Sequence, residues 1–330
     1  MAAIGRVTGD QVTGAATSAT GSPATGGFGN GSATTGGPGS ASGSGGSVRA
    51  AAARPLWRTG LLLALPAIAI FALLFVAPLF TLVANSFRTQ TGAFTLDNYV
   101  RFLGDPFYRA VLWNTLKVAA LTTAGCLLIG YPFALYMRGR SPRTRNRLAL
   151  LLLSPLLISM VIRAYGWLVV LGPNGPVASA LKWLGITPPQ LLYNDTAVLI
   201  GMVHVMLAYM VLPLMGSLDR IDPTLVPAAR GLGAPGWTCF WRITLPLSAP
   251  GMLAGAMIVF SLTASSFVTP AILGGPKVKL MPYFVYTQAT VNLDWPYAAA
   301  IGFVLVVVTT GLLLGYSRLL RRRGGEAVFG

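Results

Sequence analysis

Residues 227–246 read Pro227-Ala-Ala-Arg-Gly-Leu-Gly-Ala-Pro-Gly-Trp-Thr-Cys-Phe-Trp-Arg-Ile-Thr-Leu-Pro246, a moderately polar stretch between two long apolar segments. Just ahead of it, Asp222-Pro223 is a good helix start, with Asp as the capping acceptor and Pro at the first helical position. Residues 224–230 can then form two short turns, which Gly231 and Gly233 interrupt, and Pro235 can begin a second helix. Trp237, Phe240 and Trp241 give that second helix an aromatic face, and Leu245-Pro246 is expected to turn the chain back toward the next apolar segment. Helix, glycine hinge, helix makes a compact protrusion suited to another protein's groove, and the small Ala228 and Ala229 permit close approach. The helical pattern alone serves equally well for an amphipathic segment lying on lipid.

Outward from this stretch the chain is strongly apolar. Of 330 residues 54% are hydrophobic and 10% charged, against about 25% charged in a soluble domain. The net charge of +16 would suggest nucleic acid in a soluble protein. Here the basic residues sit mostly between apolar spans, so they read as topology and no nucleic-acid partner is expected. Cys126 and Cys239 are too few for a disulfide framework and are expected to be reduced.

Residues 1–53 are rich in Gly, Ser, Ala and Thr and read as a disordered tail with no signal-peptide pattern. A transmembrane domain is expected over 54–324, followed by a short tail at 325–330. Its six apolar segments, at about 61–84, 118–137, 148–172, 196–218, 250–274 and 297–317, are each near the ~20 residues a bilayer helix requires. Internal prolines (Pro66, Pro78, Pro132, Pro155, Pro213, Pro270) suggest kinks. With the N-terminus in the cytoplasm, 16 Lys and Arg lie inside, among them Arg138, Arg140, Arg143, Arg145, Arg147, Arg220, Arg230 and Arg242, and 7 lie outside. The positive-inside rule therefore places both termini, and the 219–246 loop, in the cytoplasm.

The loop also carries a pattern. Ala228, Ala229, Gly233, Ile243, Leu245 and Pro246 stand at the spacing of the EAA loop, and around them are Phe94-Thr-Leu-Asp-Asn-Tyr99, Val161-Ile-Arg-Ala-Tyr-Gly-Trp167, Tyr193-Asn-Asp-Thr-Ala-Val-Leu-Ile-Gly201, Leu218-Asp-Arg-Ile-Asp-Pro223, Phe267-Val-Thr-Pro270, Leu273-Gly-Gly-Pro276 and Asp294-Trp-Pro296. In this order, over approximately residues 56–320, the chain resembles the ABC-importer permeases of the spermidine/putrescine class. The resemblance implies an all-α membrane protein of six transmembrane helices with the ABC importer permease (MetI-like) fold, in a bacterial inner membrane. It implies a second permease subunit, a dimer of cytoplasmic ATPases that uses ATP and Mg, an extracytoplasmic substrate-binding protein, and a small organic cation as substrate. It further implies that Ala228, Ala229, Arg230, Gly233, Ile243, Leu245 and Pro246 form the ATPase-coupling loop. The family pattern usually begins with Glu where this chain has Pro227, and often has an acid where it has Gly231, so Arg230 is expected to carry more of the polar contact.

The remaining residues narrow the function. A G-x-x-x-x-G-K-[ST] phosphate loop is absent, so the ATPase must be another polypeptide. No Asp or Glu falls inside an apolar segment, which argues against a self-powered secondary carrier. A membrane-embedded enzyme would need clustered acids or histidines, and Asp219 and Asp222 are the only close pair. His204, the lone histidine, suits a hydrogen-bonded place in the bundle better than a metal site or triad. Arg163 is the one charge well inside a segment, expected to bond helix carbonyls or to serve a gate. Tyr165, Trp167, Tyr209, Phe267, Tyr283 and Tyr286 are candidates for lining a pathway, although membrane aromatics more often pack or anchor.

Overall fold

The computed structural model describes residues 56–328, with side chains for 64–318. The expected N-terminal tail lies outside the described residues. The chain divides into two units, Met1–Gly60 and Leu61–Gly330, and the following concerns the second.

Helices make the fold, and the described residues add only an isolated bridge between Arg88 and Phe94. Among the described residues five helical stretches are long and apolar enough to cross a membrane: Ala64–Ser86, Pro106–Arg138, Asp195–Asp219, Gly236–Ala264 and Trp295–Arg318. A bent pair, Pro142–Leu157 and Met160–Val170, supplies a sixth if taken as one span. In chain order the helices are α1 (Leu56–Phe71), α2 (Ala77–Ser86), α3 (Asp97–Gly104), α4 (Pro106–Arg138), α5 (Pro142–Leu157), α6 (Met160–Val170), α7 (Pro176–Trp183), α8 (Asp195–Asp219), α9 (Leu225–Gly231), α10 (Gly236–Cys239), α11 (Leu245–Ala264), α12 (Val268–Gly274), α13 (Met281–Thr290) and α14 (Trp295–Val328). Five-residue π-helical turns, Ala72–Val76 and Phe240–Thr244, join α1 to α2 and α10 to α11.

The bundle is organised on α8, which packs against α4 and α11. Val198, Met202, Met210, Leu214 and Leu218, spaced in multiples of four, are all buried, and at 3.6 residues per turn they wind around the helix rather than keep to one face. Ala197, Gly201, Val205, Ala208, Val211 and Met215 are buried as well, which makes α8 the central helix. Asn194 starts it, its Oδ1 accepting from the Ala197 amide at 2.8 Å. Close approach of α11 depends on glycine: a Cβ on Gly255 would lie 2.9 Å from the Met210 carbonyl oxygen. A separate cluster of Phe102, Tyr108, Met281, Tyr297 and Ile301 joins α3, α4, α13 and α14.

Two expectations are revised. The kink that Pro155 suggested in the 148–172 segment is a full break, with α5 and α6 meeting at 98°. Pro155 has no amide to give the Leu151 carbonyl, which accepts instead from the Ser154 hydroxyl at 2.7 Å. Ile158 and Ser159 are then extended, with ψ of 137° and 135°, so the helix stops and restarts. The second correction concerns Leu245-Pro246, which do not turn the chain. The helix runs from Gly236 through the π turn to Ala264, so this span begins well before the expected residue 250. The π turn takes up the missing Pro246 amide without ending the helix.

Candidate functional site

The 219–246 segment protrudes from one end of the bundle and is tied down at its base. Arg138 at the end of α4 donates from Nη2 to the Ile221 carbonyl at 3.0 Å. Arg145 of α5 makes a two-pronged ion pair with Asp219 at the end of α8. The Asp222 Oδ1 accepts from the amide and the hydroxyl of Thr224, at 2.8 and 2.7 Å. The amide bond chiefly holds that carboxyl below its ordinary range. α9 follows, and the hinge comes at Gly233, whose φ of +85° favours glycine.

Beyond the hinge, α10 and the π turn rejoin the bundle. Tyr131 of α4 makes a buried hydroxyl–hydroxyl hydrogen bond to Ser248 at 2.9 Å, and its ring meets Phe240 edge to face at 5.7 Å. What remains free is apolar and basic. Leu232 is 90% exposed and Trp237 71% exposed, with Trp241, Arg230 and Arg242 also exposed. Of the residues expected to couple, Ala228, Arg230, Gly233 and Pro246 are exposed, and Ala229, Ile243 and Leu245 are half-buried. Both acids here are engaged within the chain.

A second feature is a cavity of about 450 Å³ beside the middle of α8, where two helix breaks face each other. The α5–α6 bend contributes Leu156, Ile158, Met160 and Arg163, and the α11–α12 break contributes Ser265, Ser266 and Phe267. Met202, Met206 and Tyr209 line it from α8. Interrupted helices of this kind place backbone and polar groups at membrane depth only where protein or a cavity receives them. Arg163 is the single charged residue of the lining. Its Nη1 donates to the Pro155 carbonyl, the acceptor that lost its helical partner when Ser159 became extended. Its Nε is buried without a partner.

The expected pathway residues therefore separate. Arg163 and Phe267 meet at the cavity. Tyr165 is exposed, and Trp167 donates from Nε1 to His204 Nδ1 at 3.2 Å, which gives the lone histidine its bundle partner. Phe267 also gathers Tyr286, with ring centroids 5.0 Å apart, and Tyr283, at 6.3 Å. Sequence reasoning missed Lys279, whose Nζ lies 4.2 Å from the Tyr283 ring centroid and donates to its hydroxyl at 3.1 Å. That hydrogen bond holds the Tyr283 phenol below its ordinary range. Lys279 stands ahead of α13, so no helical spacing announced its contact with Tyr283, and nothing local links Tyr131 to Ser248, 117 residues away. Cys126 and Cys239 are both free and buried.

No family model matches the chain. It is 37% identical over 257 residues to the spermidine/putrescine transport system permease protein PotB of Escherichia coli (strain K12), covering 74% of this chain and 93% of that protein. Identity to the protein of the same name from Haemophilus influenzae is 35% over 257 residues, covering 74% of this chain and 90% of the relative. Among solved structures, a chain of a bacterial ABC transporter involved in the import of the acidic polysaccharide alginate superposes with a TM-score of 0.68 at 22% identity, covering 81% of this chain and 97% of that one. A second structure of the alginate transporter, in complex with an alginate pentasaccharide-bound periplasmic protein, gives 0.70 at 21% identity, with 82% and 96% covered. At those identities the structures show the fold, that of an ABC importer permease, and the curated relatives show the lineage: the chain belongs to the family of spermidine/putrescine transport system permease proteins.

Proposed function

We propose that this chain is a permease subunit in a bacterial inner membrane, working in an ATP-driven importer for spermidine, putrescine or a related small organic cation. A second permease completes the pathway, and a binding protein delivers substrate on the outer side. A separate cytoplasmic ATPase pair binds ATP with Mg and hydrolyses the ATP. Both termini lie in the cytoplasm, as the basic loops favour. The 37% identity in an alignment that covers 93% of the Escherichia coli spermidine/putrescine permease supports the substrate class.

The observation that supports coupling is the continuity of Gly236–Ala264. An ATPase that grips the protrusion pushes directly on a helix that becomes a span, with no flexible joint beyond the Gly233 hinge. Tyr131 and Ser248 pass the same push to α4. Leu232, Trp237 and Trp241 supply the apolar contact, and Arg230 and Arg242 select an acidic rim on the ATPase. The substrate meets no carboxylate among the lining residues of the cavity. Aromatic faces and carbonyls then handle the ammonium groups inside this subunit.

Co-purification with the cognate ATPase and sister permease, followed by ATP hydrolysis in nanodiscs, tests the reading. Stimulation by spermidine-loaded binding protein is the expected result. Assembly without stimulation removes polyamines as substrates, and failure of the ATPase to associate removes the coupling role of the loop.

A further inference from the structure

We infer that Phe267, Tyr283 and Tyr286 form a subsite for a primary alkylammonium group at the edge of the cavity, and that the chain's own Lys279 occupies part of it in the conformation seen here. The inference rests on the organic-cation reading and locates that recognition within this subunit.

Three rings converge from two elements. Phe267 stands at the α11–α12 break, with Tyr286 5.0 Å and Tyr283 6.3 Å away between centroids, both on α13. The Phe267 ring lies at 26° to that of Tyr283 and at 33° to that of Tyr286, so a cation meets an open ring face at the end of the group, and a phenol hydroxyl adds an acceptor. Lys279 demonstrates the fit at Tyr283. It ends in a primary ammonium on a four-carbon stem, with Nζ 4.2 Å from the Tyr283 centroid and 3.1 Å from its hydroxyl. Lys117 pairs with Asp195 at 2.8 Å, and Arg101, which also lies 4.2 Å from the Tyr297 ring centroid, pairs with Asp294 at 3.4 Å. Among the described residues Lys279 has no carboxylate partner.

The position also suits a substrate in transit. Tyr286 is 51% exposed, so the rings can be reached, while Phe267 is shared with the cavity wall. Arg163 lies in the same cavity and repels a second ammonium, which holds a cationic chain at the aromatic edge until the helices move. A 1,4-diamine or its longer homologue carries the same terminal group as lysine. It displaces Lys279 by substitution of like for like, without requiring a new kind of contact. Lys279 thereby serves as a built-in competitor that keeps the subsite from holding substrate too tightly.

Equilibrium binding of radiolabelled putrescine to the assembled permease–ATPase complex in nanodiscs, without binding protein, tests this. Lys279→Met is expected to tighten the apparent Kd about threefold to tenfold, the range of a partly desolvated cation–π contact. Tyr286→Leu, at an exposed position that packing tolerates, is expected to weaken it by a similar factor and to cancel the gain in the double variant. An unchanged Kd in Lys279→Met, or a Kd indifferent to Tyr286→Leu, overturns the subsite. If Lys279→Met fails to assemble, Lys279→Gln and Tyr286→Leu are read by the same criteria. ATP-driven putrescine uptake by the wild-type complex separates the two readings. Uptake with no effect of these variants leaves the polyamine importer standing and removes the subsite. No uptake, with n-butylammonium still bound more tightly by Lys279→Met, keeps the subsite and removes polyamines as cargo.

Discussion

At the scale of the residue, Arg163 shows how a break in a membrane helix is made tolerable. Pro155 creates one surplus carbonyl at Leu151, and the extended Ser159 creates another at Pro155 itself. The Ser154 hydroxyl takes the first and the Arg163 guanidinium the second. A carbonyl left alone at this depth would cost several kcal/mol. The charge is thus explained by the bend and needs no substrate to justify it. Arg163→Gln is expected to lose about 1.5–3 kcal/mol, the usual worth of a hydrogen bond to a charged group, seen as a lower melting temperature of the detergent-solubilised complex. Arg163→Lys retains charge but not the forked donor, and should melt between the two; equal melting of all three would show that the bend holds without the staple. Asp222 works on the water side of the same logic. Its folded carboxyl is depressed by the Thr224 amide, so its contribution is complete above the ordinary carboxylate range and fades as pH falls through the lowered value. Hydrogen exchange of the α9 amides, corrected for intrinsic rate, should show protection falling in that acid window and already lost at neutral pH in Asp222→Ala. Protection unaltered by the substitution would mean that α9 is held by other contacts.

At the scale of the element, α8 and α11 succeed because one supplies bulk and the other absence of it. Gly251 and Gly255 bring α11 so near that an added Cβ meets Pro213 oxygen at 2.7 Å and Met210 oxygen at 2.9 Å. Backbone atoms cannot move aside as side chains do, so Gly255→Val should cost about 1–3 kcal/mol. Gly216→Ala, with nothing within 4 Å, should instead gain about 0.5–1 kcal/mol from helix propensity. Thermal melting of the two variants side by side checks the contrast, and similar losses in both would contradict it. α8 was legible in the sequence almost to the residue, because its apolar run ends where its caps stand, 196–218 against Asp195–Asp219. α4 was not. Its helix starts at Pro106, 12 residues before the apolar run expected at 118, because Asp105 caps it and a Tyr108, Val111 and Thr115 face finds burial against α13 and α14. Pro155 announced a kink, but its place at residues 158–159 and its size were not legible for another reason. Ile158 is as apolar as its neighbours, and only the partnering of freed carbonyls decides where the helix stops.

At the scale of the whole molecule, the two sites read from the sequence have different standing in the architecture. The loop is a contiguous motif, so its small residues and hinge could be recognised at once, whereas the cavity is assembled from α5, α6, α8, α11 and α12 and exists only after folding. A continuous helix joins them: Gly236–Ala264 begins at the protrusion and ends at the break that lines the cavity. Motion imposed on one end therefore reaches the other without passing through a loop. This makes the hinge the place to interrupt coupling without harming the bundle. Gly233 has φ of +85° and no heavy atom within 4 Å of where a Cβ would stand. Any L-residue there pays about 1–2 kcal/mol of left-handed strain, and that cost is confined to the protrusion. Gly233→Ala pays the strain alone, while Gly233→Trp pays it and adds a bulky ring to the face proposed above for ATPase docking. Both should insert in the membrane as the wild type does. The Ala variant should keep most of its ATP-driven uptake, and the Trp variant should lose uptake at least tenfold together with ATPase co-purification. Equal loss in both would move the cause from docking to hinge geometry, and undiminished uptake by Gly233→Trp would show that the ATPase docks elsewhere.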